Sequence, residues 1–355
     1  MSAIPEHTDP LFEPSAAGRV LITGGAGFVG SALCARMASQ GAEIHVLDDL
    51  SSGRAERLEG LGVNLHSLDV SCEDAVAEVL LREGPFDVMF HLAARVGVRT
   101  VLADPEGARR VNEDVATGLL KALRVLPSAE RPRLFAASSS EVYGDSSAAL
   151  EECSPLRSVN GSGRWAYAAS KVRAERALDA ARELWPRGAG PVHLRFFNVV
   201  GPGQDSAAGF VLPRFVEAAL KGAPLNVHGD GSAVRTFAHV DEVAKTLSLM
   251  ATHPAVPEGP INVGGVARAS VLELADTVSE ISPQTLRVNL VDPRDELGEL
   301  FEEVSVRVPS LERLAALGCG VPTMGLREIV ADTFARHAGF MNSVVGRESC
   351  ESRVS

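Results

Sequence analysis

A chain of 355 residues with 45% hydrophobic content can bury a large core and has room for one or two domains. Its net charge of −12 argues against a general nucleic-acid or anionic-membrane surface, so an anionic ligand would need local arginines. No apolar run reaches the roughly 18 residues of a membrane span, and five scattered cysteines without CxxC spacing fit a reduced cytoplasm rather than structural zinc.

Met1 to Ala17 are polar and acidic, with no apolar signal core, and are expected to form a disordered extension. The first element follows at once. Val20-Leu21-Ile22-Thr23 runs into Gly24-Gly25-Ala26-Gly27-Phe28-Val29-Gly30, and an amphipathic segment spans Ser31 to Gln40. This reads as strand, tight turn and helix, with the glycines spaced for a dinucleotide pyrophosphate at the helix N-terminus. Glycine-rich turns also arise for plain steric reasons. A second apolar run, Glu43 to Leu47, ends in Asp48-Asp49, about 20 residues past the glycines, where a carboxylate can bind ribose hydroxyls and favour NAD over NADP. The strand Val63 to Leu68 ends in Asp69-Val70. A helix follows over Cys72–Arg82, then a buried strand from Phe86 that runs into the small residues Leu92-Ala93-Ala94. A helix from Pro105 to about Leu126 carries Asn112. The strand Arg133 to Ala137 opens into Ser138-Ser139-Ser140-Glu141-Val142-Tyr143-Gly144. Strands and helices alternating at this length specify a doubly wound parallel sheet, with its ligand at the carboxyl ends of the strands.

The serine cluster lacks a Gly-x-Ser-x-Gly context and by itself fits an ordinary turn. Tyr167 and Lys171 lie four residues apart on a helical pattern that runs to about Leu184, which places both on one helix face. An ammonium and a positive nicotinamide ring beside a phenol favour the phenolate, which could then act as a base toward a sugar hydroxyl. An isolated YxxxK would more simply be an interfacial tyrosine beside a solvated lysine. His91, His228 and His239 show no metal-ligand spacing, so no metal is expected.

Taken in order, these motifs resemble the extended short-chain dehydrogenase/reductase family, in its nucleotide-sugar epimerase/dehydratase/decarboxylase branch, over about residues 18 to 335. Further matches are Val111-Asn112, Arg195-Phe196-Phe197-Asn198 through Gly201-Pro202, His228-Gly229-Asp230-Gly231, Arg235 to Asp241 and Ile261-Asn262-Val263-Gly264. The resemblance implies a Rossmann-type α/β fold with a smaller C-terminal substrate-binding domain. The NAD-binding part would span 18–198, with 239–264 returning to it, and the substrate part 199–238 and 265–340, followed by a frayed tail, 341–355. It implies NAD held by Gly24, Gly27, Phe28, Val29, Gly30, Asp48, Asp49, Asp69, Val70, Leu92, Ala93, Ala94, Asn112, Tyr167, Lys171 and Phe196. Ser139, Tyr167, Lys171 and Glu141 would be catalytic, with Lys171 lowering the pKa of Tyr167. Ser139, Ser140, Asn198, Val211, Leu212, Leu225, Val227, Arg235 and Arg294 would line the nucleotide sugar. Similar proteins dimerise through the helices carrying Asn112 and Tyr167, so a cytoplasmic homodimer is expected.

Members of this branch share a first step, oxidation at C4 by NAD. Dehydratases typically carry Asp-Glu after the catalytic threonine, and here Ser140-Glu141 follows Ser139. UDP-glucuronate decarboxylases share the Ser-Glu-Val-Tyr-Gly pattern but usually place arginine after the Gly-Pro, where this chain has Gly203. A 4-epimerase needs no further acid. The sequence therefore puts 4-epimerisation of a UDP-hexose or UDP-hexuronate first, decarboxylation second and dehydration third. A non-catalytic NAD-binding regulator is the alternative of a different class.

Overall fold

The computed structural model describes residues 18–337, leaving aside 145–147, 158–160, 162, 187–188, 300 and 303; the expected extension (1–17) and tail (341–355) lie outside the described residues. In chain order the elements are β1 (Arg19–Thr23), α1 (Phe28–Ala38), β2 (Glu43–Asp48), β3 (Asn64–Ser67), α2 (Glu73–Glu83), β4 (Val88–His91), α3 (Val98–Ala103), α4 (Pro105–Leu123) and β5 (Arg133–Ser139). Then come α5 (Ala166–Ala180), β6 (Val192–Phe196), β7 (Val199–Val200), α6 (Val211–Leu220), β8 (Leu225–His228), β9 (Val234–His239), α7 (Val240–Thr252) and β10 (Gly259–Val263). The last are β11 (Ala267–Ser270), α8 (Val271–Ile281), β12 (Val288–Val291), α9 (Pro293–Leu297), β13 (Val306–Arg307), α10 (Glu312–Ala316) and a helix over 326–337, α11.

Seven parallel strands form the main sheet in the order β10-β6-β5-β4-β1-β2-β3. The two-residue period of a strand divides the core between its faces. Val20 and Ile22 of β1 pack with Leu33 and Met37 of α1 and with Val243 and Leu247 of α7, whereas Leu21 packs with Leu119 and Leu123 of α4. Both faces are covered, which is why these strands read as continuous apolar runs. The chain leaves β1 toward β2 on one side and continues through β4 on the other, so a crevice opens between β1 and β4 at their carboxyl ends.

A second group of elements packs around Phe215, Val216, Leu225, Val227, Phe237, Leu274 and Val278. Here β9 pairs with β11, β13 and β7, and β8 pairs with β12. Helix α8 begins with a capping box between Ser270 and Glu273. Helix α1 starts at Phe28, inside the glycine motif and earlier than Ser31. The short α3 has no apolar periodicity of its own and was not foreseen.

One buried polar network joins helix α5 to the sheet. Glu175 accepts from Arg195 at 2.9 and 2.7 Å and from the Ser138 hydroxyl at 2.5 Å, and Arg195 also donates to Tyr143 Oη at 2.9 Å. Tyr143 in turn donates to Asn262 at 2.7 Å. Removing one partner of a buried pair strands the other charge, so Arg195→Met should destabilise the fold by about 3–5 kcal/mol. The double variant Arg195→Met/Glu175→Gln should lose less than the sum of the singles. Denaturant titration checks this, and strict additivity would refute the coupling.

Candidate active site

The glycine turn is shaped by backbone contact. Gly24 has φ +70°, and a Cβ there would stand 2.7 Å from the Ala93 amide nitrogen. At Gly30 a Cβ would meet the Gly24 carbonyl, and at Gly25 it would lie 2.6 Å from Val46. These contacts press α1 onto β1. Gly27 caps α1 without a side-chain hydrogen bond, and the first turn holds no acidic residue. Its amide groups and positive end therefore face the crevice, a cradle suited to a pyrophosphate.

Asp48 is buried at the end of β2 and accepts from the amides of Ala26 and Leu50, both at 2.9 Å. Burial pushes its pKa up while those amides oppose the shift. Asp49 is exposed and holds the Ser51 turn, and Asp69 is exposed and caps Ser71 at 2.8 Å, with Val70 buried beside it. Across the crevice, Thr23 Oγ1 lies 2.8 Å from His91 Nδ1 and accepts from the Ala93 amide at 3.2 Å. Phe28, Val29, Leu92, Ala93 and Ala94 are partly buried around it. The Asn112 side chain accepts from the Arg95 amide at 2.8 Å and donates to the Arg95 carbonyl and to Ser170. Its amide ties the loop after β4 to α5.

Ser139 ends β5, Tyr167 lies in the first turn of α5, and Lys171 lies one turn on. The Ser139 hydroxyl accepts from the Glu141 amide at 3.2 Å. Burial and the charge of Glu141 push the phenol pKa up, whereas Ser139 and Arg307 pull it back. Lys171 was expected to do that work. Its Nζ instead donates to the Ala137 carbonyl at 2.9 Å, lies 6.0 Å from the Tyr167 ring centroid, and is pushed down to about 8 by burial, against the pull of Glu175.

The other surprise surrounds Glu141. Its carboxylate accepts from Arg164 at 2.7 Å and lies 3.5 Å from Arg307, with Arg235 adding to the field. Burial would raise the pKa of Glu141, but the guanidiniums win and hold it below the ordinary value. Arg235 and Arg307 are register partners on β9 and β13. The segment bearing Arg307 is held against α5 because Trp165 donates to Glu302 at 2.6 Å and packs on Val304. The sequence reading missed both Arg164 and Arg307. Arg164 had a signal, since it stands three residues before Tyr167, whereas Arg307 becomes a neighbour only through strand pairing.

On the sugar side, Phe196 is partly buried at the end of β6. Asn198 has φ +32° and donates to the Thr236 carbonyl at 2.8 Å. Val211 is partly exposed and Ser140 is buried. Leu212, Leu225 and Val227 are fully buried in the second core, so only their backbones can face a ligand. Strand alternation turns Asn226 and His228 outward instead. Those two meet Glu296, which also pairs with Arg99 at 2.9 Å and Arg214 at 3.0 Å. Arg294 is exposed on α9, with its backbone amide capped by Asp292.

Residues 20–264 match the NAD dependent epimerase/dehydratase family. The chain belongs to this family. Its members use NAD, and the uncapped glycine cradle at α1 fits that cofactor. The chain is 30% identical to a UDP-N-acetyl-alpha-D-glucosaminuronate decarboxylase of Bacillus cytotoxicus, over 83% of this chain and 90% of that one. It is 35% identical to a UDP-glucose 4-epimerase of Mycolicibacterium smegmatis, over 74% and 82%. The Thermus thermophilus UDP-glucose 4-epimerase complex with NAD superposes with a TM-score of 0.78 at 30% identity, covering 90% of this chain and 99% of that one. This enzyme is thus an epimerase, decarboxylase or dehydratase of the extended short-chain dehydrogenase/reductase type. Among the described residues, no helix is long and apolar enough to cross a membrane. One group there could hold a metal, His239, Asp241 and Asp332, and Arg336 bridges its two acids at 2.7 and 3.2 Å.

His91, beneath the cofactor cradle of this family member, is buried and pushed down to about 3 by burial and by the charge of Lys171. The folded state then resists a proton that the unfolded state takes up near pH 6.5. Stability from this group is complete above pH 6.5 and drains away as pH falls toward 3, by up to about 1.4 kcal/mol per pH unit. His91→Asn should flatten the loss between pH 7 and 5 in denaturant titrations; an unchanged slope would refute the assignment.

Proposed function

We propose that the protein is an NAD-dependent decarboxylase of a nucleotide-linked hexuronate, working through a 4-keto sugar. The observation that carries this reading is the charge balance at Glu141: three guanidiniums, Arg164, Arg235 and Arg307, act on one carboxylate. A nucleotide diphosphate could engage Arg235, as a guanidinium fork suits phosphate oxygens. The guanidiniums of Arg164 and Arg307 would give a hexuronate carboxylate a charge-assisted contact that a neutral hexose cannot make.

The N-terminal amides of α1 at Gly27 to Gly30 would hold the cofactor pyrophosphate, Asp48 its adenosine ribose, and Lys171 the nicotinamide ribose. Bound NAD supplies a hydride acceptor at C4 and later a hydride donor. Tyr167 takes the C4 hydroxyl proton while Ser139 hydrogen-bonds the same oxygen. Once C4 is a ketone, the C6 carboxylate is β to it. The C5–C6 bond can then break, with its electron pair drawn toward the C4 oxygen, where Ser139 and Tyr167 donate hydrogen bonds. Carbon dioxide leaves and C5 takes a proton from water, so this step consumes one proton from solvent. Arg307 and Arg164 hold the carboxylate out of the sugar plane, and Glu141 fixes both arginines.

The second reading is 4-epimerisation, which the sequence puts first. Gly203 favours it: the residue has φ +82° where decarboxylases of this branch usually carry arginine, and an arginine there would be strained. One assay discriminates. The NAD-loaded enzyme is incubated with UDP-glucuronate and, separately, with UDP-glucose, and the product mass is read. Loss of one carbon dioxide from UDP-glucuronate is expected; an unchanged mass with a new retention time indicates the epimerase, and loss of water the dehydratase. Tyr167→Phe should abolish turnover while NAD stays bound, and retained turnover would overturn the mechanism.

Arg307→Met should lower kcat/KM for the hexuronate by about tenfold or more, the range for a lost charged hydrogen bond. Any slow turnover of the neutral hexose should change far less. Equal losses on both substrates would argue against carboxylate recognition.

A further inference from the structure

The segment after β2 folds back onto the glycine turn. The Ala26 amide donates to Asp48 at 2.9 Å, and the Ala26 carbonyl accepts from the Arg54 amide at 3.0 Å and from Arg57 Nη1 at 3.3 Å. Arg57 stands on a 3₁₀ turn over Ala55–Leu58, which is pinned because Leu58 is buried in the same core as Leu33 and Met37 of α1. The other arm of the guanidinium, Nη2, donates to the Gly203 carbonyl at 2.6 Å. Gly203 lies 146 residues further on, in the stretch that leads from β7 into α6. One side chain therefore joins the cofactor turn to the segment that opens the second group of elements.

The far end of this link is braced. Gln204 is buried and donates to the Val199 carbonyl at 3.0 Å. Ser206 donates to Glu217 of α6, and the Ala208 carbonyl accepts from the Arg99 amide at 3.2 Å. A pull on Gly203 is thus passed to α6. A guanidinium suits the near end, because its donors diverge in a rigid plane and can hold two carbonyls at once. Arg57 is partly buried. Burial and the charge of Arg54 hold its pKa below the ordinary value, against the pull of Asp205, Asp48 and Glu56. An arginine so placed is still a cation at neutral pH.

We propose that Arg57 is a positioning residue, a clasp that keeps NAD seated between oxidation of the sugar and its reduction. The inference rests on the reading that the hydride taken from C4 returns to the same sugar. A cofactor that left in its reduced form midway would strand a keto sugar, so this chemistry requires release to be slow against turnover. The amides at the start of α1 would hold the cofactor pyrophosphate, and Arg57 borders that cradle through the Ala26 carbonyl. Parting the glycine turn from the 201–204 stretch breaks the hydrogen bond at one end of the guanidinium or the other. The clasp therefore raises the barrier to release without touching a reacting atom.

The test compares Arg57→Met, which removes the fork and the charge, with Arg57→Lys, which keeps the charge and cannot hold both carbonyls. The holoenzyme is exchanged into NADH, excess NAD is added, and the loss of bound-NADH fluorescence gives the dissociation rate. The rate should rise by about tenfold in both variants, the size of a lost charge-assisted hydrogen bond, while the melting temperature of the NAD-free chain stays at the wild-type value. With UDP-glucuronate present, both variants should also release NADH into solution during turnover, with KM for the sugar unchanged. A wild-type dissociation rate in Arg57→Met would overturn the clasp. So would a wild-type rate in Arg57→Lys alone, because charge would then suffice without the fork. A lower melting temperature with unchanged release would show a structural role and overturn it equally. Failure of the sugar to react would instead sink the reading of the reaction, and the dissociation rates would still decide the clasp.

Discussion

Glu175 and Arg195 are buried against each other at the junction of α5 with β6, and the geometry of the candidate site depends on that pair. Glu175 stands one helical turn past Lys171 and also takes a hydrogen bond from Ser138, the neighbour of Ser139. A single carboxylate therefore ties the tip of β5 to the helix that carries Tyr167 and Lys171. Buried charges tolerate little displacement, because any movement exposes one partner to a low-dielectric surrounding without its counter-charge. Arg195 extends the tie through Tyr143 to Asn262 on β10, so the outer strands of the sheet share the same anchor.

A chain with a net charge of −12 nevertheless concentrates guanidiniums where Tyr167 works. The two facts are compatible because fields from exposed charges are screened over about 10 Å, whereas Arg164 and Arg307 are buried beside Glu141. The net charge is that of the whole chain, whereas the buried cluster sets the local field beside Tyr167. Tyr167 lies between these influences: burial and Glu141 make its phenol harder to ionise, and Ser139 and Arg307 make it easier.

Much of the fold was legible from period and punctuation. The strands ending in Asp48 and Ser139 appeared as apolar runs because both faces of the sheet are covered there, whereas the edge strand before Asp69 is largely exposed. The site was legible where one element carries it. Tyr167 and Lys171 are neighbours by helical spacing alone, and the glycine turn works through its own backbone. Leu225 and Val227 show the opposite case. The family resemblance marked them as lining, but the strand faces them into the second core and turns Asn226 and His228 outward.

The sequence by itself determined the doubly wound sheet, the glycine turn and the Tyr167–Lys171 spacing, because each rests on local periodicity or on the spacing within one helix or turn, whereas Ser139 was marked by the family resemblance. Only the tertiary structure decided the charge around Glu141. Arg164, Arg235 and Arg307 lie far apart in the chain and converge because β13 pairs with β9 and Trp165 holds Glu302 and Val304 at the start of α5. It also decided that Lys171 turns toward the Ala137 carbonyl. Contacts of that kind depend on strand register and packing direction, and a linear pattern of residues carries neither.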